Sequence, residues 1–395
     1  MEQVVVKMDN EETNKKLLIA INLCTRMLIV FYSIFFNIFV FNITNKFTFV
    51  LLLNIVGQAM GISMQMIINK FINEKTAMKF YRISFLLFFL AILCTTFINQ
   101  NTIGLVFVVV FVYQCAETFY YVPHEISTIQ KTEKTGLAKF MGVHSMIGMT
   151  GAVLAPFISG YIINKLSYFV IFIIISIFAL FAFILSFWIQ NFYHNNQEGS
   201  VWAFSKEVHK FKKTKFTYMG YALFKSSNIV TTIILPVLMF LRVGSELSVG
   251  LYASAIAIFE IVCLGVYLKM ARNTNLWVFV CAGINFVVSV LLLIIPTFEM
   301  FVIYYVAYCG TAKIIDNFVK ENVYTLFTGT QFEAYKKQHH LTFSMYNYFS
   351  VISIFSITLL LCLILPQLIA ISCLFVALSV SLTSSILLLI KAKKF

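Results

Sequence analysis

The sequence predicts an all-α membrane protein: twelve transmembrane helices arranged as two pseudo-symmetric six-helix bundles. Three observations lead there. First, 60% of the 395 residues are hydrophobic and only 11% charged, with a mean hydropathy of +0.90. A soluble domain carries about 45–50% apolar and about 25% charged residues, so this chain has more oil than a soluble core can hide. Second, apolar runs of roughly 20 residues, each long enough for about 30 Å of hydrocarbon, follow one another along the chain. Third, the few charges inside those runs recur at a fixed spacing of 199 residues.

In order, residues 1–16 form a polar, acidic tail, "MEQVVVKMDNEETNKK". The apolar run behind it is too long for a signal-peptide core and lacks an A-x-A site, so no cleavage is expected. The N-terminal bundle, 17–190, holds spans at about 17–42, 47–68, 80–99, 102–122, 138–162 and 167–190. A basic linker follows at 191–215. The C-terminal bundle, 216–390, holds spans at about 216–240, 246–268, 275–296, 298–319, 341–366 and 367–390, with a short tail at 391–395. Pro296 and Glu299 divide 275–319 into two helices, because proline cannot continue the ladder of helical hydrogen bonds.

Charge placement gives the orientation. Most of the 29 Lys and Arg residues lie in the tails, the linker and alternate loops, leaving Lys46, Lys165 and Arg242 in the opposite loops. The positive-inside rule then places both termini in the cytoplasm, as an even helix count requires. The net charge of +13 faces an anionic leaflet, and nucleic acid is not implied as a partner. All eight cysteines fall inside apolar runs with no CxxC pair, so they read as small buried hydrophobes and not as a disulfide or zinc framework.

Arg26 and Lys225 are basic residues inside predicted spans and lie 199 apart. So do the acids Glu117 and Asp316, the span-ending lysines Lys70 and Lys269, and the dipeptides Ser145-Met146 and Ser344-Met345. Four coincidences at one offset predict two halves repeated in parallel, an arrangement found in transporters whose halves share an axis along the membrane normal. Polar lanes surround the charges: Asn22, Arg26, Ser33 and Asn37 on the first span; Tyr113, Gln114, Glu117 and Tyr121 on the fourth; Tyr221, Lys225, Asn228 and Thr232 on the seventh; Lys313, Asp316 and Lys320 on the tenth. Charge within a bilayer is costly enough to be paired or functional, so Arg26–Glu117 and Lys225–Asp316 are expected as two ion pairs, one per half. Glu260 is a further acid near mid-membrane. His144 reads as a packing residue, and His209, His339 and His340 as solvated loop residues.

The stretch "FYYVPHEISTIQKTEKTGLAKFMGVHSMIGMTGAVLAPFISGYIINKLSYFVIF", residues 119–172, resembles the helix 4–5 region of the major facilitator superfamily, and within it the drug–proton antiporter branches. There a proline ends helix 4 and helix 5 carries a glycine series closing in a GPxxGG-like motif. Gly148, Gly151, Ala155-Pro156 and Ser159-Gly160 match in part. Asn69-Lys70 stands where the superfamily's Asp-Arg gate pair falls, and Gln114 stands near the antiporter branches' helix 4 arginine. The resemblance implies that helices 1, 4, 7 and 10 line a central cavity. It further implies substrate contacts at Arg26, Asn22, Tyr113, Gln114, Tyr121, Tyr221, Lys225, Asn228 and Lys313. Proton coupling would fall to Glu117, Asp316 and Glu260, and gating to Asn69, Lys70, Gly148, Pro156, Gly160 and Lys269.

The expected activity is secondary active transport in the bacterial plasma membrane: proton-coupled export of a small, partly apolar solute by a monomer without a cofactor. Charge alone selects neither an anion nor a cation, since the cavity candidates nearly balance. Import or flipping of an anionic or lipid-linked metabolite, with Arg26 and Lys225 gripping the anion, is the alternative within transport. A non-transporting receptor is the alternative outside it. No nucleophile–base set or metal-ligand helix pair points to an enzyme.

Overall fold

A computed structural model describes the backbone of residues 2–132, 137–189, 199–270, 274–327 and 335–393. Side chains at 2–13, 15, 125–147, 268–274, 320, 321, 324–330, 336, 367 and 368 lie outside the described residues. They include those of His144, Ser145, Met146, Lys269 and Lys320.

The chain is helical almost throughout. Its elements are α1 (Glu2–Phe31), a π-helical segment (Tyr32–Phe36), α2 (Asn37–Thr44), α3 (Phe47–Phe71), α4 (Ala77–Thr95), α5 (Leu105–Thr132), α6 (Leu137–Lys165) and α7 (Tyr168–Ser186). Within the predicted linker lies α8 (Val201–Val208), and after it come α9 (Lys212–Val243), α10 (Glu246–Met270), α11 (Thr274–Ile294), α12 (Phe298–Phe327), α13 (Lys336–Ile364) and α14 (Gln367–Ala392). Among the described residues eleven spans are long and apolar enough to cross a membrane. The remaining predicted span is α6, whose first side chains lie outside the described residues. The outer faces of the spans stay apolar: Phe169, Ile177, Phe181 and Ile184 of α7 are each about half exposed, as lipid contact requires.

The breaks fall where sequence chemistry puts them. Pro296 lies between Ile294 and Phe298, and Pro366 stands as the residue before α14. Pro123, by contrast, does not end its helix, because α5 runs on to Thr132. The turn between α3 and α4 is tied by Asn73 Oδ1, which accepts from the backbone N–H groups of Lys75 and Thr76 at 3.0 and 3.1 Å. The turn between α4 and α5 repeats the device with Asn99, which accepts from Asn101 and Thr102 at 2.9 and 3.1 Å.

The 199-residue repeat is present in the backbone. α3 and α10 begin at Phe47 and Glu246 and end at Phe71 and Met270; α6 and α13 begin at Leu137 and Lys336 and end at Lys165 and Ile364. Each of these four pairs is 199 positions apart. So are the two left-handed residues among those described, Asn45 (φ 52°) and Gly244 (φ 66°). Each closes its helix with a backbone bond, Asn45 N–H to Phe41 O at 2.7 Å and Gly244 N–H to Phe240 O at 2.8 Å. Asn and Gly are the residues that tolerate this conformation.

Two compact units are present, and they depart from chain order at α3 and α10. One comprises Met1–Phe39, Ile67–Asn196 and Ser245–Ser254; the other comprises Val40–Met66, Gln197–Gly244 and Ala255–Phe395. In the first, α4 packs on α5 and α7, and α1 on α6 and α7. In the second, α9 packs on α13 and α14, and α11 on α12 and α14. Small residues bring α9 and α14 close: Ser385 Oγ donates to Gly220 O at 2.6 Å and Ser381 Oγ to Leu223 O at 3.2 Å. Such contacts hold helices together where lipid removes the hydrophobic drive for association.

Candidate functional site

The second unit contains a linked set of charges. Lys225 of α9 donates from Nζ to Asp316 Oδ1 of α12 at 3.0 Å, and the two side chains are 24% and 15% exposed. One turn earlier on α12, Lys313 Nζ lies 3.5 Å from Glu260 Oε2 of α10. The three-residue step from Lys313 to Asp316 puts both on one helix face, so α12 is cross-linked to α9 and α10 at nearly the same level. Cys309 lies four residues before Lys313, one turn earlier on α12. The close approach of α10 and α12 depends on Gly310, where a β-carbon would lie 2.7 Å from the Phe259 ring and 3.3 Å from Cys263 Sγ. The Tyr221 and Phe224 rings stand 5.8 and 5.7 Å from Lys225 Nζ and supply a cation–π contribution. Asn228 Oδ1 accepts from Tyr308 Oη at 3.4 Å.

The equivalent positions of the first unit behave differently. Arg26 is exposed and Glu117 half-buried, and among the described residues no ion pair joins them. The expected Arg26–Glu117 pair is therefore not formed in this structure, although Lys225–Asp316 is. Arg26 lies along α6, where a β-carbon at Gly148 would sit 3.6 Å from Asn22 Nδ2 and 3.7 Å from Arg26 Cγ and Nε. Asn22, Tyr113 and Gln114 are buried. Tyr113 stacks on Tyr32 with ring centroids 3.5 Å apart. Tyr121 is half-buried against the Tyr120 ring, at 5.2 Å. The π-helical turn beginning at Tyr32 is a feature that hydropathy could not reveal. Such turns often mark functional positions in helices.

The gating candidates divide by geometry. Gly160 permits contact between α6 and α10, because a β-carbon there would meet Glu246 O at 2.6 Å. A side chain at Gly250 would likewise collide with the Pro156 carbonyl. Ser254 Oγ donates to Val153 O at 2.6 Å, and Tyr168 Oη to Glu246 Oε1 at 3.2 Å, completing this seam within the first unit. Gly148 has ordinary space around it and no such steric demand. Asn69 is half-buried and Lys70 exposed at the end of α3. The side chain of Lys269 lies outside the described residues.

The histidines correct the sequence reading. His339 is fully buried, bonded through Nδ1 to Tyr218 Oη and set edge-on to Phe204 at 4.8 Å. His209 bonds to Tyr346 Oη through Nε2 at 2.7 Å. The linker helix α8 thus docks by Phe204 onto the start of α13, and these two histidines of the polar segments form part of an aromatic core. The signal was available in the apolar spacing of Val201, Phe204 and Val208, which are all buried.

The sequence profile of the Major Facilitator Superfamily matches residues 77–318, more than half of the chain. The chain belongs to the Major Facilitator Superfamily. No curated protein sequence matches it. Among solved structures, it is similar to a bacterial homologue of the iron transporter ferroportin in an inward-facing state, with a TM-score of 0.69 and 13% identity over 98% of this chain and 99% of that one. It is also similar to the nucleoside transporter NupG, with a TM-score of 0.65 and 12% identity over 98% and 99% of the two chains. A POT family transporter in complex with 5-aminolevulinic acid gives 0.68 and 12% over 97% and 96%. At such identities the likeness is one of fold. The superfamily and the fold make this a multi-pass membrane transporter of the secondary type, and not an enzyme.

Proposed function

We propose that this superfamily member is a proton-coupled exporter of a small, partly apolar solute, working by alternating access. The observation that supports it most directly is the linked pair of ion pairs, Lys225–Asp316 and Lys313–Glu260, tying α12 to α9 and α10. A carboxylate beside a cation stays ionised, whereas one that loses its cation in a dry surrounding takes up a proton. Protonating Asp316 or Glu260 therefore cancels one cross-link and frees α12 on that side, and deprotonation restores it. In this reading Glu117 is the first unit's proton-accepting counterpart, and Tyr113 and Tyr121 present aromatic surface to the solute.

Export is favoured by the partial resemblance of residues 119–172 to the antiporter branches, together with the Pro156–Gly160 seam packed on α10. The halves 17–190 and 216–390 act as the repeated units, joined by 191–215, in a monomer whose termini face the cytoplasm of a bacterial cell. Gripping an anion with both Arg26 and Lys225, as an importer or flippase would, competes with the Lys225–Asp316 bond and is the weaker reading.

The test is flux in proteoliposomes carrying a pH gradient, with a panel of small amphipathic solutes. Gradient-driven accumulation is expected to collapse with a protonophore and to be lost in Asp316→Asn and Glu260→Gln. Accumulation indifferent to the protonophore would overturn proton coupling.

A further inference from the structure

Of the intramembrane cations, Lys225 and Lys313 are neutralised within the second unit. Arg26 is not: it is exposed, and no ion pair holds it among the described residues. It stands ten residues into the Lys16–Thr44 span, about 15 Å along the helix at 1.5 Å per residue. A charge at that depth costs roughly 2.5–3.5 kcal/mol against hydrocarbon, so an exposed guanidinium there faces water and not lipid. Its fork of five donors matches the geometry of a carboxylate or phosphate better than a lysine would.

Independent features of the same unit point to a ligand. Gln114 is 7% exposed, and its Oε1 is buried with no hydrogen-bond partner. The Tyr32 hydroxyl is likewise buried and unpartnered, at the π-helical turn. An unmet buried polar group costs about 1–3 kcal/mol, a cost that a ligand carrying the missing donor or acceptor removes. In the same unit the stacked Tyr32 and Tyr113 rings add aromatic surface.

We infer that the first unit carries the solute-recognition site and that its ligand is a soluble, amphipathic oxyanion. The oxyanion pairs with Arg26, the unsaturated or apolar body lies against Tyr32–Tyr113, and an O–H or N–H group donates to Gln114 Oε1. This assignment rests on the transport reading above but not on its proton step. It breaks the near-neutral balance of the sequence, because Asp316 and Glu260 neutralise Lys225 and Lys313 and leave Arg26 for the substrate.

The experiment measures thermal stability of the full chain in nanodiscs of zwitterionic lipid. The probes are phenylacetate, 4-hydroxyphenylacetate and 4-aminobenzoate, each against its primary amide. At least one acid is expected to raise Tm by about 3 °C or more at saturating concentration while its amide does not. That shift should vanish in Arg26→Gln and persist at least in part in Arg26→Lys. The advantage of the hydroxylated acid over phenylacetate should disappear in Gln114→Met. Stabilisation by amides alone, an acid effect that survives Arg26→Gln, or no effect from any probe would overturn the inference. Nanodiscs containing phosphatidylglycerol form a further arm: an Arg26-dependent shift from that lipid alone would make the oxyanion a headgroup and contradict a soluble ligand. Because no pH gradient is involved, loss of proton coupling in the flux assay leaves this result standing, and the reverse also holds.

Discussion

At the scale of single residues, the second unit stores charge in compensated form. Removing one partner of a desolvated pair leaves the other ion unmatched, which costs about 3–5 kcal/mol, whereas replacing both by apolar residues is close to neutral. Lys225→Ala is therefore expected to destabilise the protein strongly, toward the lower end of that range given the 24% exposure of Lys225. Lys225→Met with Asp316→Leu should recover most of the loss in thermal unfolding. Equal destabilisation in the single and double variants would deny the pair. The residues were legible because intramembrane charge is rare, but their partners were only half legible. The spacing that links Lys225 to Asp316 links Arg26 to Glu117 just as well, and only the packing shows that one pair forms and the other does not.

At the scale of elements, the seam between α6 and α10 and the docking of α8 carry the strongest expectations. Gly160→Ala must push Glu246 away from α6 and is expected to cost about 1–3 kcal/mol as overpacking. Gly148→Ala has room for its methyl group and should be neutral or slightly stabilising, since alanine is favoured over glycine in a helix by up to about 1 kcal/mol. Thermal unfolding of the two variants side by side decides the matter, and similar effects would contradict the seam. His339→Ala leaves the Tyr218 hydroxyl without its buried partner and should cost about 1–3 kcal/mol, largely recovered when Tyr218→Phe is added with His339→Leu. Helix boundaries at Pro296 and Pro366 were legible because proline acts locally. The continuation of α5 through Pro123 was not, because a helix tolerates proline where neighbouring helices re-satisfy the freed backbone groups. The burial of His339 was not legible either, because a polar run between spans carries no sign of what folds over it.

At the scale of the whole molecule, the repeat is legible in residue spacing alone, and the backbone follows it down to paired left-handed residues at Asn45 and Gly244. Hydropathy marks the spans because each must cross hydrocarbon unaided. It could not show that α3 and α10 depart from chain order, since that depends on which faces meet. The asymmetry of charge between equivalent positions suggests a division of labour: one unit holds paired acids for proton exchange, and the other leaves a cation for the solute.

The central claim is that Asp316 and Glu260 couple proton movement to solute movement. It is tested most directly by proteoliposomes loaded with the pH dye pyranine and challenged with solute. Wild-type protein is predicted to move protons only when solute is present. Asp316→Asn and Glu260→Gln are predicted to lose that proton signal while still exchanging labelled solute across the membrane without a gradient. Proton movement of wild-type size in both variants would contradict the account.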